Sequence, residues 1–260
     1  MRKLLVTGAI ALSSLTLGAV AIAAGDAPHP PHRHWHFTGP FGTYDRAAAQ
    51  RGFQVYKDVC AACHSMSLMA YRNLTELGLT EDQVKGIAAE IQVPDIGDDG
   101  QAIERPARPS DKFKKPYPND LAAAAANGGK MPPDLSVIIK ARADGANYVH
   151  ALLTGYVPFE KLTPDQIKAS GMTKDDNYNT YFPGHRIAMP PPLADDKVAY
   201  VDGTKATLDQ LSSDTVEFLA WASEPHMEAR KRTGVRVILF LLALAGLMYA
   251  VKRQVWSDKH

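Results

Sequence analysis

Two cysteines and a histidine stand within five consecutive positions of this chain. Cys60, Cys63 and His64 form the pattern Cys-x-x-Cys-His, and the 260 residues contain no other cysteine. A Cys-x-x-Cys pair serves three kinds of chemistry: structural zinc binding, thiol redox exchange and covalent haem attachment. Zinc would need two further ligands, and thiol exchange requires nothing of the histidine. Haem attachment uses all three residues, because the thiols bind the haem edge and the imidazole reaches the iron.

A haem that transfers electrons needs a second axial ligand opposite His64, and a methionine there raises the reduction potential. The leading candidates are Met189 in "RIAMPPPL" and Met131 in "GGKMPPDL", because the prolines after each hold the chain in an extended conformation. The spacing favours Met189 as the second axial ligand and does not exclude Met131. Weaker candidates are Met172, Met227, His150 and His185.

A helix is predicted to lead into the Cys-x-x-Cys-His pattern. Phe53, Tyr56, Cys60 and Cys63 recur at positions i, i+3, i+7 and i+10, which places them on one helix face. Gly52, one turn earlier, has no side chain and would permit a second helix to cross closely. The segment "TLDQLSSDTVEFLAWASEP", residues 207–225, predicts that second helix, with a capping box at its start.

The remaining segments are read from caps, periodicity and turn residues. Helices are predicted in "TEDQVKGIAAEIQV" from Thr80, in "DLAAAAANGG", in "PPDLSVIIKARA", in "ANYVHALLTGY" and in "TPDQIKAS". Asp134 is expected to complement the positive end of the third of these helices. Residues 94–120 predict an extended surface loop, and residues 157–206 predict a long, mostly irregular excursion that carries Met189.

Both ends of the chain carry apolar segments. A basic start, an apolar stretch and an Ala-x-Ala site within residues 1–24 predict a cleaved export signal. A second apolar run at 235–251, flanked by basic residues, predicts a transmembrane anchor at 231–253. Export would place residues 25–230 outside the cytoplasm and leave 254–260 as a short cytoplasmic tail.

The whole chain has a formal net charge of +1, but its charges are unevenly distributed. Residues 25–227 carry 20 lysines and arginines against 26 aspartates and glutamates. A domain with this excess of acids does not neutralise phosphates, so nucleic-acid binding is disfavoured. The same charge would attract a basic protein partner.

Five blocks of the sequence, taken in order, resemble the cytochrome c1 family in its bacterial form. They are "GFQVYKDVCAACHSM", "NDLAAAAANGGKMPPDLSVIIKAR", "YVHALLTGY", "YFPGHRIAMPPPL" and "FLAWASEPHMEARKRTG", the last of which runs into the apolar anchor. The resemblance implies a mainly α fold, namely a class I-like c-type cytochrome domain with long loop insertions, followed by one C-terminal transmembrane helix.

The resemblance also implies a set of haem-binding residues. One haem c would be bound covalently through Cys60 and Cys63, with His64 and Met189 as axial ligands of its iron. Arg142 would pair with a haem propionate, as a guanidinium suits a carboxylate. The residues implied to line the pocket are Asn127, Pro133, Leu135, Ile138, Tyr148, Leu152, Phe182 and Ile187.

The family's activity is one-electron transfer within the quinol:cytochrome c oxidoreductase (bc1) complex. Electrons would arrive from the Rieske iron–sulfur protein and leave to a cytochrome c, beside cytochrome b, in a dimeric complex of the bacterial inner membrane with the haem on the periplasmic side. The chain itself needs no catalytic acid or base. The alternative is a stand-alone, membrane-anchored cytochrome c that donates to a terminal oxidase.

The segment "HPPHRHWHF", residues 29–37, is not part of the family pattern. Its four histidines could bind a metal. A loosely packed terminal segment is the more ordinary expectation.

Overall fold

The computed structural model describes residues 28–257, so the predicted export signal and the last three residues lie outside the described chain. The described helices are α1 Arg46–Asp58, α2 Glu81–Ala89, α3 Asp120–Ala126, α4 Ile138–Ala141, α5 Gly145–Thr154, α6 Pro164–Ser170, α7 Leu208–Ser223 and α8 Met227–Val255. The mainly α prediction is therefore confirmed.

Two small antiparallel sheets accompany the helices. β1 Gln92–Ile96 pairs with β2 Ala102–Pro106 in a hairpin. β3 Tyr156–Val157 pairs with β4 Asn177–Asn179, which pairs in turn with β5 Arg186–Ile187. The second sheet connects the end of α5 to the segment that carries Met189.

The close crossing of α1 and α7 centres on Gly52. A Cβ atom added to Gly52 would lie 1.9 Å from the carbonyl oxygen of Asp214 and 2.7 Å from the Cβ of Phe218. Beside the contact, the rings of Phe53 and Tyr56 pack on Phe218 with centroids 5.6 and 5.7 Å apart. The predicted helix crossing is confirmed, since only glycine permits this approach.

A buried ion pair fixes the same crossing. The carboxylate of Asp214 is 1% exposed and accepts hydrogen bonds from Nε and Nη2 of Arg51 at 2.9 and 3.0 Å. The side-chain amide of Gln210 donates to both Asp214 oxygens at 3.0 Å. A buried carboxylate is tolerated when its lone pairs are satisfied in this way. The capping box predicted at Thr207 is therefore only half formed: Thr207 accepts from the backbone N–H of Gln210, but the Gln210 side chain binds Asp214 instead of returning a hydrogen bond.

Several helix ends agree with the predicted capping signals. Thr80 and Thr163 each accept a hydrogen bond from the backbone of the residue three positions on, and a glutamine there returns one, which completes a capping box. The alanine-rich helix ends at Asn127, and α5 ends at Gly155. These signals act within one helical turn, so a local pattern is sufficient to predict them.

Three predictions of local structure are wrong. Residues 94–120 are not loop throughout, because two strands that carry the β-branched residues Val93, Ile96 and Ile103 form the β1–β2 hairpin, in which Val93 faces Arg105 and Ile96 faces Ala102. The helix predicted over 132–143 is reduced to α4, since the preceding residues bind the segment after His64. The helix before the haem-binding pattern ends at Asp58, and Cys60–Ala62 form a separate 3₁₀ turn.

The histidine-rich N-terminal segment does not pack loosely, which corrects the prediction. Trp35 is buried and donates from Nε1 to the side-chain oxygen of Asn147 at 2.8 Å. Arg33 pairs with Asp209 of α7 at 2.7 Å. The segment therefore joins α5 to α7. Within residues 28–257 no group of three histidine, cysteine or acidic side chains is placed to hold a metal ion.

Helix α8 is long and apolar enough to cross a membrane. Its apolar side chains are exposed along its length, whereas Met227 at its start is buried in the domain core. A 29-residue helix spans about 43 Å at about 1.5 Å per residue, which exceeds a hydrocarbon core of about 30 Å. α8 is the one such helix in the described part of the chain.

Substitution of Gly52 by alanine tests the helix crossing. The added methyl would collide with the backbone of α7, so we expect a loss of about 1–3 kcal/mol of stability. Gly86→Ala in α2 is the matched control, because a Cβ there meets no atom within 4 Å; helix propensity alone should stabilise it by about 0.5–1 kcal/mol. Thermal melts of the purified protein would measure the stability of both variants. If Gly52→Ala and Gly86→Ala changed the stability equally, the close helix crossing at Gly52 would be contradicted.

Candidate functional site

The Cys-x-x-Cys-His residues form one compact turn at the end of α1. The backbone N–H groups of Cys63 and His64 both donate to the carbonyl of Cys60, at 3.1 and 2.9 Å. This turn brings the two thiols and the imidazole together. Burial raises the pKa of the Cys60 thiol to about 12, which disfavours the thiolate that disulfide exchange requires.

The imidazole of His64 is oriented by a backbone carbonyl. Its Nδ1 lies 2.8 Å from the carbonyl oxygen of Pro133. A carbonyl only accepts, so Nδ1 carries the proton and Nε2 keeps a free lone pair. Burial lowers the pKa of His64, which favours the neutral, ligating form. Metal-binding histidines usually show this arrangement, with one nitrogen donating to a carbonyl and the other facing the metal.

Asp134 holds the Pro133 carbonyl in place. It accepts hydrogen bonds at 2.8 Å from the backbone of Ser67 and Ser136 and from the hydroxyl of Ser65. Burial alone would raise the pKa of Asp134, but the hydrogen bonds from Ser136 and Ser67 hold it well below its usual value. The predicted role at a helix start was wrong, because α4 begins four residues later. Sequence reasoning missed this network, which joins residues distant in the chain.

Met189 lies in a bend just after β5, ahead of the three prolines, and is half-buried. Its backbone carbonyl accepts a hydrogen bond from the hydroxyl of Tyr156 at 3.1 Å. Tyr156 belongs to β3 and directly follows α5, so the segment that carries Met189 is tied to that helix. Burial is the main cause that raises the pKa of Tyr156, and the nearby Tyr148 adds to it. The hydroxyl therefore keeps its proton and remains a donor at neutral pH.

The other candidate iron ligands lie in different surroundings. Met131 is 51% exposed. Met172 and Met227 are buried in hydrophobic clusters. His150 is buried with its Nε2 3.2 Å from a carboxylate oxygen of Asp209, and His185 stacks on the ring of Tyr178.

The predicted pocket residues come from four separate segments. Leu135, Ile138 and Ile187 are buried, while Tyr148, Leu152 and Phe182 are half-buried. Asn127 donates to the hydroxyl of Tyr117 and to the carbonyl of Ala123. Arg142 is exposed, and among residues 28–257 its guanidinium donates only to the neighbouring Ala141 carbonyl. Tyr148 lies near Arg142, which opposes the rise that burial causes in the tyrosine pKa.

The residues present fit a covalently bound haem. The donor set consists of two thiols, one imidazole with a free Nε2 and a methionine in a proline-rich segment, together with apolar side chains from α4, α5 and β5. Comparison with known proteins agrees. A family model described as the cytochrome C1 family matches residues 35–259.

The chain belongs to the cytochrome c1 family. It is 45% identical to "Cytochrome c1" of Rhodospirillum rubrum over 95% of this chain and 94% of that protein. It is 47% identical to "Cytochrome c1 1, heme protein, mitochondrial" of Arabidopsis thaliana over 99% of this chain and 82% of that protein. It is also 45% identical to "Cytochrome b/c1" of Bradyrhizobium diazoefficiens, where 96% of this chain covers 39% of the longer protein.

Cytochromes c1 are haem-containing electron-transfer subunits of bc1 complexes, and the chain shares that general role through its family. Its sequence resemblance to the family is thereby confirmed. The individual ligands and pocket residues stay predictions.

Substitution of Asp134 by asparagine tests the support of His64. An asparagine has the same shape, but only one acceptor oxygen, and its NH2 group would face a hydrogen-bond donor, so we expect the free energy of unfolding to fall by about 1–3 kcal/mol at pH 7. The low pKa of Asp134 stabilises the fold above the unfolded value of about 4, and this contribution disappears as the pH falls below it. The difference between wild type and variant in thermal melts should therefore shrink in acid.

The matched control is Asp175→Asn, which replaces an exposed carboxylate outside the site. We expect no pH-dependent difference for that variant. If both variants followed the wild type at pH 7, Asp134 would not stabilise the site.

Proposed function

We propose that the chain carries one haem c bound through Cys60 and Cys63 and transfers single electrons within a bc1 complex. The observation that carries the proposal is the hydrogen bond from His64 Nδ1 to Pro133, because it prepares Nε2 of a histidine next to two thiols for iron. The haem would supply a reversible one-electron couple between ferric and ferrous iron.

The residues of the chain would hold and insulate that couple. His64 Nε2 and the sulfur of Met189 are the proposed axial ligands, and Arg142 is the proposed partner of a propionate. Leu135 and Ile187 are among the buried side chains that would keep water from the site. A site closed by a histidine and a methionine would leave no open position on the iron. Electron transfer needs no open position, whereas oxygen or peroxide chemistry does.

The proposed partners follow from the family and from charge. The donor is the Rieske iron–sulfur protein and the acceptor a cytochrome c, whose basic surface would be drawn to a domain with more acidic than basic residues. Cytochrome b would lie beside α8, in a dimeric complex.

The proposed location is the bacterial inner membrane, with the haem domain at 25–230 on the periplasmic side. The anchor spans 231–253 within α8, the signal is 1–24 and a short tail at 254–260 remains in the cytoplasm. The exposed apolar surface of α8 supports the anchor.

The proposal is tested by an optical difference spectrum and a covalent-haem stain of the complex purified through a tag on this chain. We expect c-type haem on the denatured band and b-type haem with a Rieske protein in the same particle. Covalent haem without those partners would favour the stand-alone carrier, and a band free of covalent haem would refute the haem site itself.

Replacement of Met189 by alanine tests the axial ligand. We expect the reduction potential to fall and carbon monoxide to bind the reduced protein, because the sulfur no longer fills the sixth position. Met131→Ala is the matched control, since Met131 also precedes prolines but is exposed. Carbon monoxide binding by the wild type, or a stronger effect of Met131→Ala, would contradict the assignment.

Replacement of Tyr156 by phenylalanine tests how the segment that carries Met189 is held. Loss of one hydrogen bond, worth about 0.5–1.5 kcal/mol, should weaken methionine ligation. We expect a weaker methionine-to-iron charge-transfer band and a lower reduction potential. Tyr178→Phe, at a buried tyrosine of the neighbouring strand, should change neither. A Tyr156→Phe protein with the wild-type band and potential would show that the hydrogen bond is dispensable.

A further inference from the structure

Phe41 is an exposed aromatic residue close to the start of the membrane helix. Its side chain is 80% exposed. It lies in a turn closed by the hydrogen bond from the Gly42 N–H to the Gly39 carbonyl, at 3.5 Å. Residues 39–42 form this turn, the Phe41 turn. Single exposed apolar residues are common on protein surfaces, so the surroundings of this residue decide whether its exposure has a function.

The Phe41 turn has a defined shape. The N–H of Thr43 donates to the carbonyl of His36 at 3.0 Å and closes the base of the loop. A Cβ at Gly42 would lie 2.0 Å from the Thr38 carbonyl oxygen, so the chain folds back tightly on itself there. Pro40 fixes its own φ angle and stiffens the tip. Phe41 is thus presented by a tightly packed turn.

The same turn is attached directly to α8. Lys231 Nζ donates to the carbonyls of Phe37 and Gly42, at 2.7 and 3.0 Å. One turn earlier, Glu228 accepts from the backbone of Tyr44 at 2.9 Å. Glu228 also pairs with Arg46 at 3.0 Å. Both sides of the Phe41 turn are therefore fixed to the first two turns of the helix.

The attachment point sets the level of the turn relative to a bilayer. Lys231 precedes the apolar run that begins at Val235 by four residues, or about 6 Å along the helix. The headgroup layer on each side of a bilayer is about 5–8 Å thick. With the apolar run of α8 in the hydrocarbon core, the Phe41 turn would lie at the level of the headgroups. Arg232 and Arg236, which are exposed on the same stretch of helix, suit the anionic groups found there.

We propose that Phe41 is a membrane contact and that its ring inserts into the interfacial layer of the bilayer beside α8. The partner is the lipid surface, because the exposed ring stands on a turn bonded to Lys231, just ahead of the apolar run of the proposed anchor. Aromatic side chains next to basic residues are typical of interfacial binding. The domain would then have two attachments, α8 and the Phe41 turn, which together fix its tilt. The inference rests on α8 as the membrane anchor.

The test uses the photo-reactive residue p-benzoyl-phenylalanine in the full, haem-loaded protein in its native membrane. It replaces Phe41 in one variant, Val201 in a second and Leu242 in a third. Val201 is 95% exposed in a loop held by Gln54 of α1, and Leu242 is exposed in the middle of α8. After illumination, mass spectrometry of the labelled peptides identifies what each probe has captured.

We expect phospholipid adducts at positions 41 and 242 and none at position 201. Lipid capture at 242 but not at 41, or capture of a polypeptide by the probe at 41, would overturn the inference while leaving the anchor intact. A probe at 242 that captured neither lipid nor another membrane subunit would refute the anchor itself, and with it the contact proposed for Phe41.

Discussion

The crossing of α1 and α7 at Gly52 is the constraint on which the position of the site depends. The backbone of α7 occupies the space that a side chain at position 52 of α1 would need. The two helices can therefore pack in only one register relative to each other. The Arg51–Asp214 pair and the hydrogen bond from the Asp45 backbone to Glu217 at 2.8 Å fix that register from two sides. Asp58, where α1 ends, lies about 9 Å further along the helix. The turn that bears Cys60, Cys63 and His64 therefore begins at a defined place.

Beyond that point, hydrogen bonds replace regular secondary structure. Pro133, Leu135 and Ser136 lie beside the segment after His64, and Asp134 accepts the donors that face it. An ionised acceptor makes stronger hydrogen bonds than a neutral one, which suits a segment with no helix or strand of its own. The segment that carries Met189 is held likewise, with Tyr156 bonded to the carbonyl of Met189. The candidate ligands are thus positioned by a few contacts between distant parts of the chain.

This division explains what the sequence could predict. The helix starts predicted at Thr80 and Thr207 depend on neighbours three residues away and are confirmed, although Gln210 does not complete the capping box with Thr207. The role of Gly52 was also predictable, because a glycine inside an apolar helix face indicates close packing. The contacts of Asp134 with Ser65 and Ser67 and of Tyr156 with Met189 could not be predicted, since these partners lie 33 to 69 residues apart in the chain.

The N-terminal segment shows the same limit in another way. Its histidines drew attention as possible metal ligands, whereas Trp35 and Arg33 carry the structural role, through Asn147 and Asp209. A composition-based interpretation weighs the commonest residue in a segment. Packing instead depends on the one large side chain that finds a cavity and a hydrogen-bond acceptor, and these exist only once α5 and α7 have come together.

The joint between the domain and α8 has a consequence for how such a carrier would work. Glu224, at the end of α7, pairs with Lys140 of α4 at 2.7 Å and with Arg230 of α8 at 2.5 Å. Its carbonyl also accepts from the hydroxyl of Tyr44 at 3.0 Å. The short link through Pro225 is thus flanked by contacts of Glu224 with α4 and with α8. These contacts attach α8 to the domain. A haem carried by the domain would stay at a fixed height above the membrane. Its redox partners would then have to approach it, since the domain has no flexible tether on which to travel to them.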